Sequence, residues 1–158
     1  QGQDGIAIGY NSAFSGQGTG GVAIGRSAAN NNQGANGVAI GLGAGQSTQG
    51  IEAVALGYEA GQVSQGTRSI AIGYTAGDNA QAANGIIISS KGTAVNDTSV
   101  GHVHIASSLA SLDFTSAAGV WRQTIGGTTE TIFTKEALKV VTAASTDFAD
   151  FKTRVAAL

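Results

Sequence analysis

The chain of 158 residues contains no cysteine, no proline and no methionine. Without cysteine there is neither a disulfide framework nor a thiolate metal site. Charged residues make up 11% of the chain and the formal net charge is −2, so no basic footprint for nucleic acid is present. No apolar run approaches the ~20 residues that a membrane helix requires, and no signal peptide is visible, so no membrane insertion is expected. Aromatic residues are sparse, at 6%. What is plentiful is glycine, with 25 residues, well above the usual share.

The glycines are periodic. Gly5-Ile-Ala-Ile-Gly9 recurs as Gly21-Val-Ala-Ile-Gly25 and Gly37-Val-Ala-Ile-Gly41, then as Ala53-Val-Ala-Leu-Gly57 and Ser69-Ile-Ala-Ile-Gly73. Gly85-Ile-Ile-Ile-Ser89 is a degenerate sixth copy, and each copy starts 16 residues after the last. A fixed period of this length marks a solenoid. Gln1-Gly2 already matches the Gln-Gly pairs of later copies, so the array reads as cut inside a rung, and the chain as a fragment or processed product.

Each column of the repeat has a physical reading. Ile6, Val22, Val38, Val54, Ile70 and Ile86 form one apolar column, and Ile8, Ile24, Ile40, Leu56, Ile72 and Ile88 a second. Two residues apart on a strand, they share one face, while Ala7, Ala23, Ala39, Ala55 and Ala71 point to the other. The expectation is that the β-branched columns fill the coil and that the Ala strip meets a close neighbour. Ala28, Ala44, Ala60 and Ala76 form a second small inward column. Gln17, Gln33, Gln49, Gln65 and Gln81 form a ladder whose amides, about 4.8 Å apart, could hydrogen-bond along the rod. One rung has too little core to fold alone, and stacking supplies the rest.

These residues resemble the head repeats of YadA-like trimeric autotransporter adhesins, and more closely the related arrays of phage and large-virus fibre proteins. Ala53-Val-Ala-Leu-Gly-Tyr-Glu-Ala-Gly-Gln-Val-Ser-Gln-Gly66 carries the likeness, which covers about residues 1–100. The resemblance implies an all-β fold: a left-handed parallel β-roll of 16-residue rungs in a parallel homotrimer, with the Ala side near the three-fold axis. No anchor barrel or long stalk follows the repeat, which favours a viral tail fibre at the virion surface over a bacterial adhesin head at the cell surface. Either would attach to a host-surface receptor, glycan or protein.

Residues 1–105 read as the rod and 106–158 as a capping and trimerisation region. Gly119–Ile125 and Thr128–Thr134 flank Gly126-Gly127, a hairpin signal. Ser145-Thr-Asp147 offers helix N-cap chemistry ahead of Phe148, Phe151, Val155 and Leu158, spaced as one helical stripe.

Enzyme readings find no support in these patterns. Hexapeptide acyltransferases coil in multiples of six, and 16 is not one. Calcium-binding nonapeptide repeats need an Asp column, and an ice-binding face needs a Thr ladder; neither is present. Tyr10, Tyr58 and Tyr74 share a column with Arg26 and Leu42, just past the strand corner. They serve either as packing between rungs or subunits, or as a binding stripe, since aromatics and Arg dominate binding hot spots. Trp121 and Arg122 in the hairpin invite the same two readings. His102 and His104, the only histidines, form a His-x-His pair. In strict register they would replace the two apolar columns. A slip of one residue would place Val103 and Ile105 in the coil and both histidines on the axial face. In a trimer that arrangement gathers six imidazoles, an octahedral set suited to a first-row ion such as iron. The fibre resemblance implies the same, because phage fibre tips and spikes hold metal through His-x-His. Exposed strand histidines are the plain alternative.

Overall fold

A computed structural model describes residues 1–107, 110–115, 120–125 and 128–134. Each rung contributes two short strands. The Ile-Ala-Ile segments form β1 (Ile6–Ile8), β3 (Val22–Ile24), β5 (Val38–Ile40), β7 (Val54–Leu56), β9 (Ile70–Gly73) and β11 (Ile86–Ser89). The segments ending in the ladder glutamines form β2 (Ser15–Gln17), β4 (Asn31–Gln33), β6 (Ser47–Gln49), β8 (Val63–Gln65) and β10 (Asn79–Gln81). Both sets pair in parallel with a register shift of one repeat, as in Ala39↔Ala55 and Gln49↔Gln65. The result is a β-solenoid with two parallel sheets on opposite walls of the coil.

The faces are the reverse of the expected assignment. Ala23, Ala39, Ala55 and Ala71 are fully buried, and with Ala28, Ala44, Ala60 and Ala76 they form the core of the coil. The β-branched columns lie outside: Val22, Ile24, Val38, Ile40, Ile70 and Ile72 are half-buried, and Ile6, Ile8, Leu56 and Ile88 are exposed. The physical reason is cross-section. A 16-residue turn brings its two walls so close that only a methyl group from each fits between them, and larger side chains must point out.

Glutamine supplies the remaining interior contact. The ladder amides do not mainly bond to one another as expected; they cross the coil to the opposite wall. Gln33 Nε2 donates to the carbonyls of Val22 (2.9 Å) and Gly37 (3.0 Å), and Gln17, Gln49 and Gln81 repeat the pattern. Only Gln65 donates to the next amide, the Oε1 of Gln81, at 3.3 Å, besides the carbonyl of Val54. Each glutamine is thus a tie between the two sheets.

The corners require left-handed backbone. Asp4, Asn36, Glu52, Arg68 and Asn84 occupy one such corner column, with φ between 55° and 58°. Asn tolerates this conformation better than a long side chain does. Glu52→Asn is therefore expected to stabilise the chain by roughly 0.5–1 kcal/mol, read as a higher midpoint in urea unfolding. An unchanged or lower midpoint would contradict it.

The large sheet does not stop with the repeat. After β11 it adds β12 (Val103–Ala106) in parallel, then β13 (Ala110–Thr115), β14 (Val120–Ile125) and β15 (Thr128–Thr134) in antiparallel order. The hairpin expected from the Gly pair is β14–β15, and β13 is a further strand that the sequence reading did not anticipate. The expected helix over 145–158 lies outside the described residues.

Candidate functional site

Three places on the rod carry side chains with chemistry. The first is the corner past the strand. Tyr58 and Tyr74 stack with ring centroids 5.0 Å apart and planes 8° from parallel, the direct result of in-register rungs. Both are exposed. Glu59, by hydrogen bond and by charge, raises the pKa of the Tyr58 phenol above its usual value. Burial, with the nearby Glu59 charge, raises the Asp78 carboxyl. Tyr10 is 71% exposed and stands apart from the pair, with Arg26 and Leu42 in the intervening rungs. The structure thus joins two of the three column tyrosines and leaves the third alone.

The second place is the hairpin. Register sets Trp121 opposite Phe114 on one side and Phe133 on the other, and Arg122 opposite Asp113 and Thr131, with an irregularity between Trp121 and Arg122.

The third is the end of the repeat. One residue is inserted here: Ile86 pairs with Val103 and Ile88 with Ile105, 17 positions on rather than 16. The slip that the sequence raised does occur, but its faces are reversed. Val103 and Ile105 continue the outward columns. His104 pairs with Ile87, a fully buried residue in the interior Ala column. The carbonyl of Asp97 accepts from Ala82 as that of Gln81 accepts from Gly66, so Asp97 takes the ladder position in this rung. The carbonyl of His102 accepts from Ile86 as that of Gly85 accepts from Ile70, so His102 takes the small-residue position that faces the ladder. Asp97 is one methylene shorter than Gln, which leaves room for an imidazole where earlier rungs have Gly, Ala or Ser. His102 Nδ1 lies against the Asp97 carboxylate, a contact that is an ion pair only when the imidazole is protonated, and both side chains are mostly buried, at 12% and 11% exposure. The His102 and His104 rings stand edge-on, with centroids 6.4 Å apart. The axial placement of both histidines is therefore corrected: this face is the coil side of the sheet. Asp97 carries no signal of its own in the sequence, because its meaning depends on its standing in the ladder column one rung after Gln81.

No family model matches this chain, and no curated protein and no solved structure matches it significantly. Among the described residues, no helix is long and apolar enough to cross a membrane, and no three His, Cys, Asp or Glu side chains gather as a metal-binding group.

Proposed function

We propose that this chain is a segment of a trimeric fibre, a viral or phage tail fibre or spike at the virion surface, that attaches to a host-surface receptor and has no catalytic role. The observation that carries the reading is the outward Val/Ile stripe. It runs along six successive strands, with Ile6, Ile8, Leu56 and Ile88 exposed on a single chain. Fully burying one exposed side chain of this kind contributes about 1.5–3 kcal/mol; four of the twelve are exposed and eight half-buried, so covering the face gains part of that from each and favours association. A flat, periodic and uncharged stripe suits a second and third copy of itself in parallel register, packed about a three-fold axis. The axial side of the proposed left-handed roll is then the Val/Ile side, and the Ala side stays inside each coil. Tyr10, Tyr58 and Tyr74 lie at the rim of that stripe, and with Trp121 and Arg122 they are the proposed receptor-contact residues. The strands after Ala106 extend the same sheet, and on this reading they cap the rod and register the chains.

Light scattering on a sizing column tests the assembly. Three chains per particle is the expected mass, and a stable monomer at micromolar concentration overturns it. For attachment, binding of the purified particle to a panel of surface polysaccharides and cells should weaken at least tenfold in Tyr58→Ala/Tyr74→Ala, with the mass unchanged. Undiminished binding would remove the tyrosines from the contact.

A further inference from the structure

We propose that the notch above Tyr74 binds one acidic pyranose of a surface glycan, with the sugar ring stacked on Tyr74 and its carboxylate paired with Lys91. This rests on the attachment reading above and gives it a ligand class.

The notch lies where the corner stack breaks. In the lower rungs the residue after each column position donates its amide to the column carbonyl of the rung before. Ser27 donates to Tyr10, Gly43 to Arg26, Glu59 to Leu42 and Thr75 to Tyr58, at 2.8–3.0 Å. Above Tyr74 the Lys91 amide turns instead to the hydroxyl of Ser89 in its own rung, at 3.2 Å. The chain then makes an excursion. Val95 occupies the column of Ala76, 19 positions on rather than 16, and its carbonyl accepts from Gly77 as that of Ala76 accepts from Gly61. Ser90, Lys91, Gly92, Thr93 and Ala94, which form the enlarged corner, are all exposed. A Cβ added at Gly92 would meet nothing within 4 Å.

The ladder of large side chains ends at the same point. Among the described residues Tyr58 is the only ring stacked on Tyr74. The next column position, set by the pairing of Gly73 with Ser89, is Ser90, which carries no ring. The other face of Tyr74, a side chain 49% exposed, therefore looks into the notch. One rung spacing, about 4.8 Å, admits one ring in the step that Ser90 leaves open.

The bordering groups select the ligand. A pyranose presents a flat C–H face that packs on an aromatic ring as another ring would, with burial of apolar surface as the attraction. Charge then chooses among sugars. Lys91 is the only Lys or Arg between Ser69 and Ser107. It is exposed and forms no ion pair among the described residues. An ammonium so placed favours a ligand carboxylate over a neutral group through a charge-assisted hydrogen bond. Glu59 is engaged at the Tyr58 side chain, one rung lower, so the acidic part of the corner lies below the notch.

The test is an NMR titration of the assembled particle with methyl glycosides of glucuronic, galacturonic and sialic acid, each beside its carboxyl-reduced form. At least one acidic glycoside should saturate with a Kd on the order of 1 mM, and at low salt it should bind roughly threefold or more tighter than its reduced form. Ser90→Tyr extends the ladder into the notch, and Tyr74→Ala removes the platform from an exposed position; each should weaken binding about tenfold or more. Lys91→Gln should erase the preference for the acidic form and leave binding of the reduced form unchanged. No saturation by any of the three up to roughly 20 mM overturns the proposal. So does undiminished binding by Ser90→Tyr and Tyr74→Ala, or an acid preference that survives Lys91→Gln. If the particle attaches to cells while no glycoside binds, only this site is lost. If a glycoside binds and no cell is bound, the attachment reading fails and the site stands.

Discussion

Gly41→Ala is expected to break the solenoid at its third rung. Gly41 has φ of +131°, a conformation closed to L side chains. An added Cβ would also stand 2.3 Å from the carbonyl oxygen of Gly57 in the next rung. That oxygen is backbone, held in the rung stack, so it cannot swing aside as a side chain could. Strain and clash add, and a loss on the order of 4–5 kcal/mol is expected, a large share of the stability of a chain this size. Gly92→Ala is the control. Its φ of +72° is also unfavourable, but nothing lies within 4 Å of the added Cβ, so about 1–2 kcal/mol should be lost. Urea unfolding of both variants decides the matter. Equal midpoints would mean that the corner column is not closely stacked.

Ala39→Arg and Ala55→Arg should fail to fold, whereas Gln46→Arg should melt within about a degree or two of the parent. Ala39 and Ala55 lie between the two walls of the coil with no exposed surface. A guanidinium there has neither room nor a partner, and burying it unpaired costs more than the chain can offset. Gln46 is half-buried at a corner, where a long side chain can reach water. Ile40→Lys completes the series, because Ile40 points outward from the same strand. Each chain should keep its β-sheet circular dichroism while the assembled mass falls. Normal folding of Ala39→Arg with collapse of Ile40→Lys would restore the opposite assignment of faces.

The period, the strand positions and the pairing register were all legible in the sequence, because identical residues recur at a fixed interval and parallel stacking aligns like with like. The faces were not. Alternation shows that Ala39 and Ile40 lie on opposite sides, but it does not say which side is inside. The usual expectation that the larger apolar residue is buried is overridden by the width of the coil. Gln49 was read as a polar ladder for a similar reason. Its reach across the interior to the carbonyls of Val38 and Ala53 depends on how near the far wall stands. At the terminal rung, His102 and His104 were singled out by rarity and spacing. Asp97, an ordinary acidic residue in a polar stretch, acquires meaning only once it is seen to hold the place of a glutamine.

The parallel register has a consequence for how such a chain changes length. Rungs two to five present interchangeable interiors, so excising or duplicating 16 residues at any corner leaves every junction joining the same columns. Rod length is then a counted quantity, altered in steps of about 4.8 Å, with no intermediate values that preserve the core. Ile87 and His104, larger than the alanines whose column they end, do not fit this exchange. They mark, in side-chain volume, the end of the interchangeable part of the array, whatever the number of copies before them.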